Sequence, residues 1–137
     1  MNIMLDEGAT MPTRAYENDA GLDLYARETQ IVSARESAKF DTGVHIEIPP
    51  GVVGILKSKS GLNTNHDLVT DGVIDAGYTG SIMVKLYNLG GFDYKINKGE
   101  KIAQLVLFPF YIPDELNVVD RFKETDRGSN GFGSSGK

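Results

Sequence analysis

The sequence of 137 residues predicts one all-β domain, a barrel or a sandwich such as a jelly roll, with one short helix. Apolar and polar residues alternate with a period of two in short segments, and nearly every segment is bounded by Gly, Pro, Asn or Asp. No stretch keeps the spacing of an amphipathic helix for three turns. A chain of this length is large enough to bury one core, so a second domain is not expected.

The first half of the chain contains three clear strand patterns. Ala20–Ala26 is apolar except for one carboxylate, and Val44–Ile48 alternates between apolar and polar residues. Val52–Leu56 is a continuous apolar run, which is typical of a strand buried on both faces.

The second half begins with the predicted helix, Ser60–His66, which is followed by the turn-rich segment Gly72–Gly80. Ile82–Tyr87 alternates as a half-buried strand does, and the apolar run Ile102–Phe108 predicts a strand buried on both faces. A turn is expected near Pro113–Leu116.

Composition excludes several classes of function. The formal charge is −5, which argues against broad nucleic-acid binding, since that depends on Lys and Arg neutralising phosphates. The absence of cysteine excludes disulfides and thiolate metal sites, and with only His45 and His66 a multi-histidine metal site is nearly excluded.

No membrane or export signal is visible. No run approaches eighteen apolar residues, and Met1–Asp6 lacks the basic-then-apolar pattern of a signal peptide. We therefore expect a cytoplasmic protein with no membrane partner.

Asp23 is the single carboxylate of the strand Ala20–Ala26. Burying a carboxylate is costly unless it is paired or hydrogen-bonded. Asp23 is expected either to point outward from a half-exposed strand or to line a cleft where it orients a hydrated cation.

Lys57–Leu62 combines two lysines, two serines and a glycine directly after a buried strand. Ser60 and Gly61 at a helix start leave backbone N–H groups free to meet an anion. The segment is either the best phosphate-binding candidate of the chain or a surface turn.

Asp75 and Tyr78 lie in the turn-rich segment Gly72–Gly80. An Asp on a rigid hairpin can accept a proton from a water that a substrate holds in place. The alternative is an Asx-type turn with a packing tyrosine.

The composition changes once, at residue 127. Residues 1–126 form the predicted β-rich core domain, and residues 127–137 form a flexible Gly/Ser-rich segment. Arg127 and Phe132 fit poorly in a solvated tail, because an exposed aromatic side chain is explained only if something else covers it.

Five segments, taken in order, resemble the five motifs of the trimeric deoxyuridine triphosphatases (dUTPases). The resemblance covers the chain from about Pro12 onward, and its third and fifth motifs are the most specific. The five segments are Ala20–Leu24, Ser60–Leu62, Gly72–Gly80, Lys98–Leu105 and Arg127–Gly136.

The resemblance implies a distorted jelly roll that forms a homotrimer with active sites at subunit interfaces. It implies hydrolysis of dUTP to dUMP and pyrophosphate by water attack on the α-phosphorus. That reaction limits uracil incorporation into DNA and supplies dUMP for thymidylate synthesis. It also implies Mg²⁺ held by the triphosphate, with Asp23 bonded to the waters of the ion.

The resemblance also assigns the nucleoside side of the site. Asp75 would be the general base, and Tyr78 would pack on the deoxyribose and exclude a 2′-hydroxyl. The main chain around Leu68–Val73 would read the uracil edge. The substrate-binding residues implied here are Gly72, Val73, Ile74, Tyr78 and Met83.

On the phosphate side, Ser60 would lie near the bridging oxygen that leaves, and Arg127 would meet the terminal phosphate. Phe132 would cover the uracil ring as the tail closes over the substrate. The residues implied to bind phosphate or to close over it are Lys59, Ser60, Gly61, Gln104, Arg127, Gly133, Ser134 and Ser135.

The sequence departs from the family pattern at three places. Lys59 stands where arginine is usual, and it offers a point charge instead of a two-pronged fork. Gly77 replaces a second Asp often seen before the tyrosine. Val69–Asp71 lacks an asparagine found in some relatives, so base recognition would rest mainly on the backbone.

Two other functions remain open from the sequence. A deoxycytidine triphosphate deaminase shares this fold, although the Asp75 and Tyr78 spacing and the Phe132 tail favour the pyrophosphatase. A regulatory protein of this fold that binds a partner protein needs no recognisable motif.

Overall fold

The computed structural model describes residues 1–136 and confirms an all-β chain with one short helix. The elements in chain order are β1 (Ile3–Leu5), β2 (Gly21–Tyr25), β3 (Gln30–Val32), β4 (Ser37–Asp41), β5 (Val44–Ile46), β6 (Val52–Ser58), α1 (Ser60–His66), β7 (Leu68–Val69), β8 (Asp71–Ile74), β9 (Met83–Asn88), β10 (Tyr94–Ile96) and β11 (Lys101–Pro109).

The described strands form four antiparallel sheets in a jelly-roll arrangement. The largest has the order β2-β11-β6-β8, and a second has the order β4-β9-β7. The pairs β1-β5 and β10-β3 complete the strands. Most neighbours are far apart in sequence, so the register of long-range pairs decides which side chains meet.

The core lies between these sheets and is almost entirely aliphatic. β9 shows the predicted alternation, since Val84, Leu86 and Asn88 are buried while the residues between them are exposed. The buried hydrophobic residues are Leu24, Ala26, Val32, Phe40, Val44, Ile46, Ile48, Leu56, Leu68, Ile82, Val84, Leu86, Ile96, Ile102, Ala103 and Leu105.

The prediction that Ile102–Phe108 is buried on both faces is right only for its first part. Ile102, Ala103 and Leu105 are buried, whereas Phe108 is 49% exposed. The reason is that β2 stops pairing with β11 at Val106, while β6 pairs with β11 as far as Pro109. The end of β11 therefore has a neighbour on one side only.

The helix α1 begins and ends where the sequence predicts. Lys59 precedes it in an extended conformation, and Asp67 ends it with a φ of 55°. The Asp67 N–H donates to the Asn63 carbonyl at 3.2 Å, which satisfies one of the open carbonyls of the last turn. α1 has no fully buried residue, and Leu62 is the side chain it packs against the core.

After Pro109 the described chain has no further helix or strand, and the turn expected near Pro113–Leu116 is only a bend at Asp114. Large apolar side chains in this segment are exposed to solvent, including Tyr111, Leu116 and Phe122. Apolar groups at this density in an extended segment indicate that another surface covers them. Among the described residues, no helix has the length and apolarity to span a membrane.

Leu86 and Leu89 offer a matched test of the core. Leu86 is fully buried, whereas Leu89 is 61% exposed. Leu86→Ala should lower the free energy of unfolding by about 2–5 kcal/mol because it leaves a cavity. Leu89→Ala should change it by less than about 0.5 kcal/mol. Denaturant unfolding at one fixed protein concentration measures both, and equal losses would contradict the assigned core.

Candidate functional site

The four-stranded sheet places residues of two of the five motifs, the first and the fourth, in one line across its strands, called here the row. Gln104 of β11 lies opposite Asp23 of β2 on one side and opposite Lys57 of β6 on the other. Lys57 in turn pairs with Asp71 of β8. Positions separated by tens of residues along the chain thus share one line across the sheet.

Asp23 occupies one end of this row and is 3% exposed, so the outward orientation is wrong. Its Oδ1 accepts from Lys59 Nζ at 2.5 Å, and its Oδ2 accepts from Lys101 Nζ at 2.7 Å. A buried carboxylate is tolerated here because each oxygen has an ammonium partner.

Burial raises the pKa of the Asp23 carboxyl, but the hydrogen bonds and charges of Lys101 and Lys59 outweigh burial and hold the pKa below its ordinary value. The ion pairs therefore stabilise the fold above the unfolded-state pKa of Asp23, and this contribution is lost as the pH falls through the lower folded-state value. The same contact raises the pKa of Lys101.

Lys101 is a site residue that the sequence analysis missed. A lone carboxylate in an apolar strand indicates that a cation lies nearby. Lys98 and Lys101 both lie near the start of β11, and the sequence alone does not show which of them contacts Asp23. Only the register, with Lys101 opposite Tyr25, shows which one reaches Asp23.

Gln104 lies beside Asp23, and its Nε2 donates to the Ser58 carbonyl at 3.2 Å. Gly21 makes room for it: a Cβ at position 21 would lie 2.5 Å from Gln104 Oε1 and 3.0 Å from Gln104 Cβ. The absence of a side chain at Gly21, in the first motif, therefore allows the Gln104 side chain, in the fourth motif, to lie where it does.

Ser60 and Gly61 lie at the start of α1, immediately after Lys59. Both are exposed, and the first N–H groups of a helix have no partner within it. The ammonium of Lys59 is turned toward Asp23, so in this arrangement its charge is shared with the carboxylate.

Asp75 follows β8 and begins a tight turn, Asp75–Tyr78, called here the Asp75 turn. The Tyr78 N–H donates to the Asp75 carbonyl at 3.2 Å, and Gly77 has a φ of 86°, which favours glycine. This turn is closed by a backbone bond and not by the Asp75 side chain, and Tyr78 packs back over Gly80. Within residues 1–136 no hydrogen-bond partner of the exposed Asp75 carboxylate is found.

Three apolar side chains near the Asp75 turn are exposed: Val73, Tyr78 and Met83. Tyr78 is directed back over Gly80, and its hydroxyl donates to the Ser81 carbonyl at 3.0 Å. Val73 and Tyr78 stand two residues before and three residues after Asp75, so exposed apolar side chains flank its carboxylate along the chain.

The two halves of the predicted site do not meet within one chain. Asp71 pairs with Lys57 in the row, and Asp75 lies four residues farther along the chain, just past the end of β8. At about 3.3 Å per residue this is about 13 Å. Asp23, Ser60 and Gln104 therefore lie on one side of the molecule's largest sheet, and the Asp75 turn lies apart from them. Met83, at the start of β9, lies opposite Asp41 of β4.

The described tail makes only local contacts. Arg127 Nε donates to the Asn130 carbonyl at 3.0 Å, and short backbone turns follow. Phe132 is fully exposed. Gly133, Ser134 and Ser135 are exposed as well, and Lys137 lies outside the described residues.

The protein side chains do not build a metal centre by themselves. No group of three or more His, Cys, Asp or Glu suited to a metal is present within residues 1–136. A carboxylate has about four lone-pair positions, so Asp23 keeps acceptor capacity beyond its two lysine bonds. The residues therefore fit a hydrated cation that another molecule brings, and not a directly bound one.

The family model described as dUTPase matches residues 7–136. A deoxyuridine 5′-triphosphate nucleotidohydrolase of Clostridium acetobutylicum is 38% identical over 96% of this chain and 92% of its own length. A probable deoxyuridine 5′-triphosphate nucleotidohydrolase of Schizosaccharomyces pombe is 42% identical over 96% and 94%.

Solved structures of dUTPases are similar in fold to this chain. The dUTPase of Staphylococcus bacteriophage 80alpha with dUpNHpp superposes with a TM-score of 0.89 at 36% identity, covering 99% of this chain and 98% of that one. A mutant dUTPase from phage phi11 of S. aureus, described with a structural Mg(II) ion, gives a TM-score of 0.82 at 33% identity over 90% and 98%. With the motif order, the jelly-roll topology and the family model in agreement, this chain belongs to the dUTPase family.

Proposed function

We propose that this chain hydrolyses dUTP to dUMP and pyrophosphate, which makes it a dUTP diphosphatase. The observation that supports this most directly is the row in which Asp23 and Gln104 lie side by side next to the helix start at Ser60. The 80alpha dUTPase of the same fold binds dUpNHpp. Neither a deaminase nor a regulatory role without hydrolysis is favoured by any observation on this chain.

The active form is proposed to be a homotrimer whose sites lie between subunits. About 13 Å separates the row from Asp75 within one chain, too far for both to act on one phosphorus. The segment after Pro109 carries exposed apolar side chains that a neighbouring subunit would cover. We propose residues 1–126 as the core and residues 127–137 as the lid.

In this proposal the triphosphate lies over the row. Ser60 and Gly61 offer backbone N–H groups, Gln104 offers its amide, and Lys59 adds positive charge near Asp23. The Asp23 carboxylate carries one negative charge against the two ammonium groups of Lys59 and Lys101. The local balance is therefore positive in a chain whose net charge is −5.

Asp23 is proposed to bond through water to a Mg²⁺ that the triphosphate carries. When bound, the ion would neutralise phosphate charge that the acidic chain alone cannot. Asp23 then has to share its oxygens among two lysines and the water shell, and Lys59 would gain freedom to contact phosphate.

Asp75 is proposed as the general base. Its carboxylate accepts a proton from water as the water oxygen bonds to the α-phosphorus, and the bond from that phosphorus to the bridging oxygen breaks to release pyrophosphate. The exposed side chains of Tyr78, Val73 and Met83 are proposed to receive deoxyribose and base, and the main chain of Gly72–Ile74 is proposed to read the uracil edge.

The tail is proposed to close over bound nucleotide. Arg127 would pair with the terminal phosphate and Phe132 would stack on uracil, while Gly133, Ser134 and Ser135 cover the phosphates. The fully exposed ring of Phe132 supports this, since it has no partner among the described residues. Closure would exclude water from the phosphates.

The direct test is pyrophosphate release from dUTP with Mg²⁺, with dTTP, dCTP and UTP as controls. We expect release from dUTP far above the other three. Inert behaviour with all four nucleotides would favour the partner-binding alternative, and ammonia release from dCTP would favour the deaminase.

Asp75→Asn keeps the size of the side chain but cannot take up the proton. Turnover should fall by about 10²–10⁴ because general-base assistance is lost. The Kd of a non-hydrolysable dUTP analogue, measured by calorimetry, should change little. Near-normal turnover in Asp75→Asn would remove Asp75 from the proposed role.

Gly21→Ala tests the row without altering a polar group. The new methyl would displace Gln104, and kcat/KM for dUTP should fall about ten- to a hundredfold, the loss expected for one hydrogen bond to a charged group. Gly91→Ala is the matched control, since nothing lies within 4 Å of its Cβ position. Equal activity in the two variants would show that Gln104 does not need the space at Gly21.

Truncation after Asp126 should leave the fold and assembly intact, because the described tail, residues 127–136, makes no hydrogen bond to the helix or strands of the core. Turnover should fall by at least about tenfold, since Arg127 and the lid are both lost. Pyrophosphate release and light scattering measure the two effects. Full turnover in the truncated chain would show that the tail is not needed to close over the nucleotide and is only a flexible linker.

A further inference from the structure

His45 of β5 contacts two acceptors through its two ring nitrogens. Nδ1 lies 2.7 Å from the Thr79 carbonyl, and Nε2 lies 3.2 Å from Asp6 Oδ1. The His45 side chain is 17% exposed, and the Asp6 side chain is 37% exposed. Thr79 directly follows the Asp75 turn, so the contact joins β5 to the segment that carries Asp75 and Tyr78.

The two contacts fix the protonation of the ring. A carbonyl oxygen can only accept a hydrogen bond, and so can an ionised carboxylate. A neutral imidazole carries one N–H and would satisfy only one of them. Both contacts are hydrogen bonds only when His45 is an imidazolium.

The charges around His45 favour that state. Asp6 lies after β1, and Asp41 of β4 adds a second negative charge, while Arg27 Nη1 lies between them at 3.5 and 3.7 Å from their carboxylates. The Thr79 carbonyl raises the pKa of His45 most, burial opposes it, and Asp6 adds to the rise. Glu47, two residues along the chain, is instead engaged by the Asn2 side-chain amide at 2.6 Å.

The chain after the Asp75 turn is also anchored at Ser81 and Ile82. The Gly43 N–H donates to the Ser81 hydroxyl oxygen at 3.0 Å, and the Thr42 hydroxyl donates to the Ile82 carbonyl at 2.7 Å. The Ser81 hydroxyl donates to Asp41 Oδ1, and the Ile82 N–H donates to the Val44 carbonyl at 2.8 Å. Among the described residues, His45 provides the side-chain contact nearest to Tyr78 that comes from outside the turn segment. Asp75 itself is the titratable group of that segment, and it belongs to the proposed chemistry.

We propose that His45, as an imidazolium, is a positioning residue that holds the Asp75 turn in place through the Thr79 carbonyl. This inference rests on the proposed function for its effect on catalysis. A neutral ring keeps one N–H, so it loses either the bond to the Thr79 carbonyl or the bond to Asp6 that keeps the ring in place. In both cases the turn is held less firmly as the pH rises through the pKa of His45.

Asp6→Asn removes the negative charge beside His45 but keeps a side chain that can form a hydrogen bond with its ring. The amide oxygen can accept from Arg27, and the amide N–H can donate to a neutral His45 whose Nδ1–H still donates to Thr79. The Asp6→Asn chain should therefore keep its activity near pH 7 and lose any dependence on the His45 proton.

The experiment follows His45 by NMR and kcat/KM for dUTP against pH. In the unmodified chain the pKa of His45 should exceed the ordinary value of about 6.5. The amide signals of Gly77 and Thr79 should shift with the same midpoint, and kcat/KM should bend downward there. His45→Gln should lower kcat/KM about three- to tenfold, the loss for one hydrogen bond, and remove that bend.

His66→Gln is the matched control, because His66 lies at the end of α1 against the Tyr94 ring and outside this network. His66→Gln should leave the dependence of kcat/KM on pH unchanged. The proposal would be overturned by an ordinary pKa for His45 or by amide signals of Gly77 and Thr79 that do not shift as His45 titrates. It would also be overturned if kcat/KM depended on pH in His45→Gln as it does in the unmodified chain. If the unmodified chain releases no pyrophosphate, the proposed function fails, while the NMR titration still decides the role of His45.

Discussion

The double ion pair of Asp23 is the interaction on which the proposed phosphate-binding part of the site depends. A carboxylate in the middle of an apolar strand is acceptable only because Lys59 and Lys101 reach it from two different elements. The same bonds fix where the helix start at Ser60 lies relative to β2 and β11. Removing either lysine would leave a buried charge partly unpaired, which costs far more than the loss of a surface pair.

The register of one sheet links that ion pair to the rest of the proposed chemistry. β11 lies between β2 and β6, so Gln104 stands next to Asp23, and Gly21 leaves the space it needs. The Asp75 turn lies beyond the far end of β8 and is anchored separately, through the β5 side chain His45 and through Ser81. In the proposed function these are two separate parts of one site, and a closed assembly of identical chains can join them.

How much of this the sequence could predict depends on the range of the interactions. The alternation around Leu86 and the helix at Ser60–His66 are local patterns, and both were correct. The order of the five motifs identified the family, which the comparisons confirm. The contacts of Lys101 and His45 could not be predicted, because each depends on pairing between strands or segments far apart in the chain.

The central claim is that one site draws Asp75 and Gln104 from different chains, and subunit mixing tests it most directly. Chains with Asp75→Asn and chains with Gln104→Ala, differently tagged, are co-expressed, and the mixed assemblies are isolated through both tags. A ring of three that contains both variants has one site with both residues intact, so about one third of normal pyrophosphate release should return. Mixed assemblies no more active than either variant alone would show that both residues act within one chain and would contradict the account.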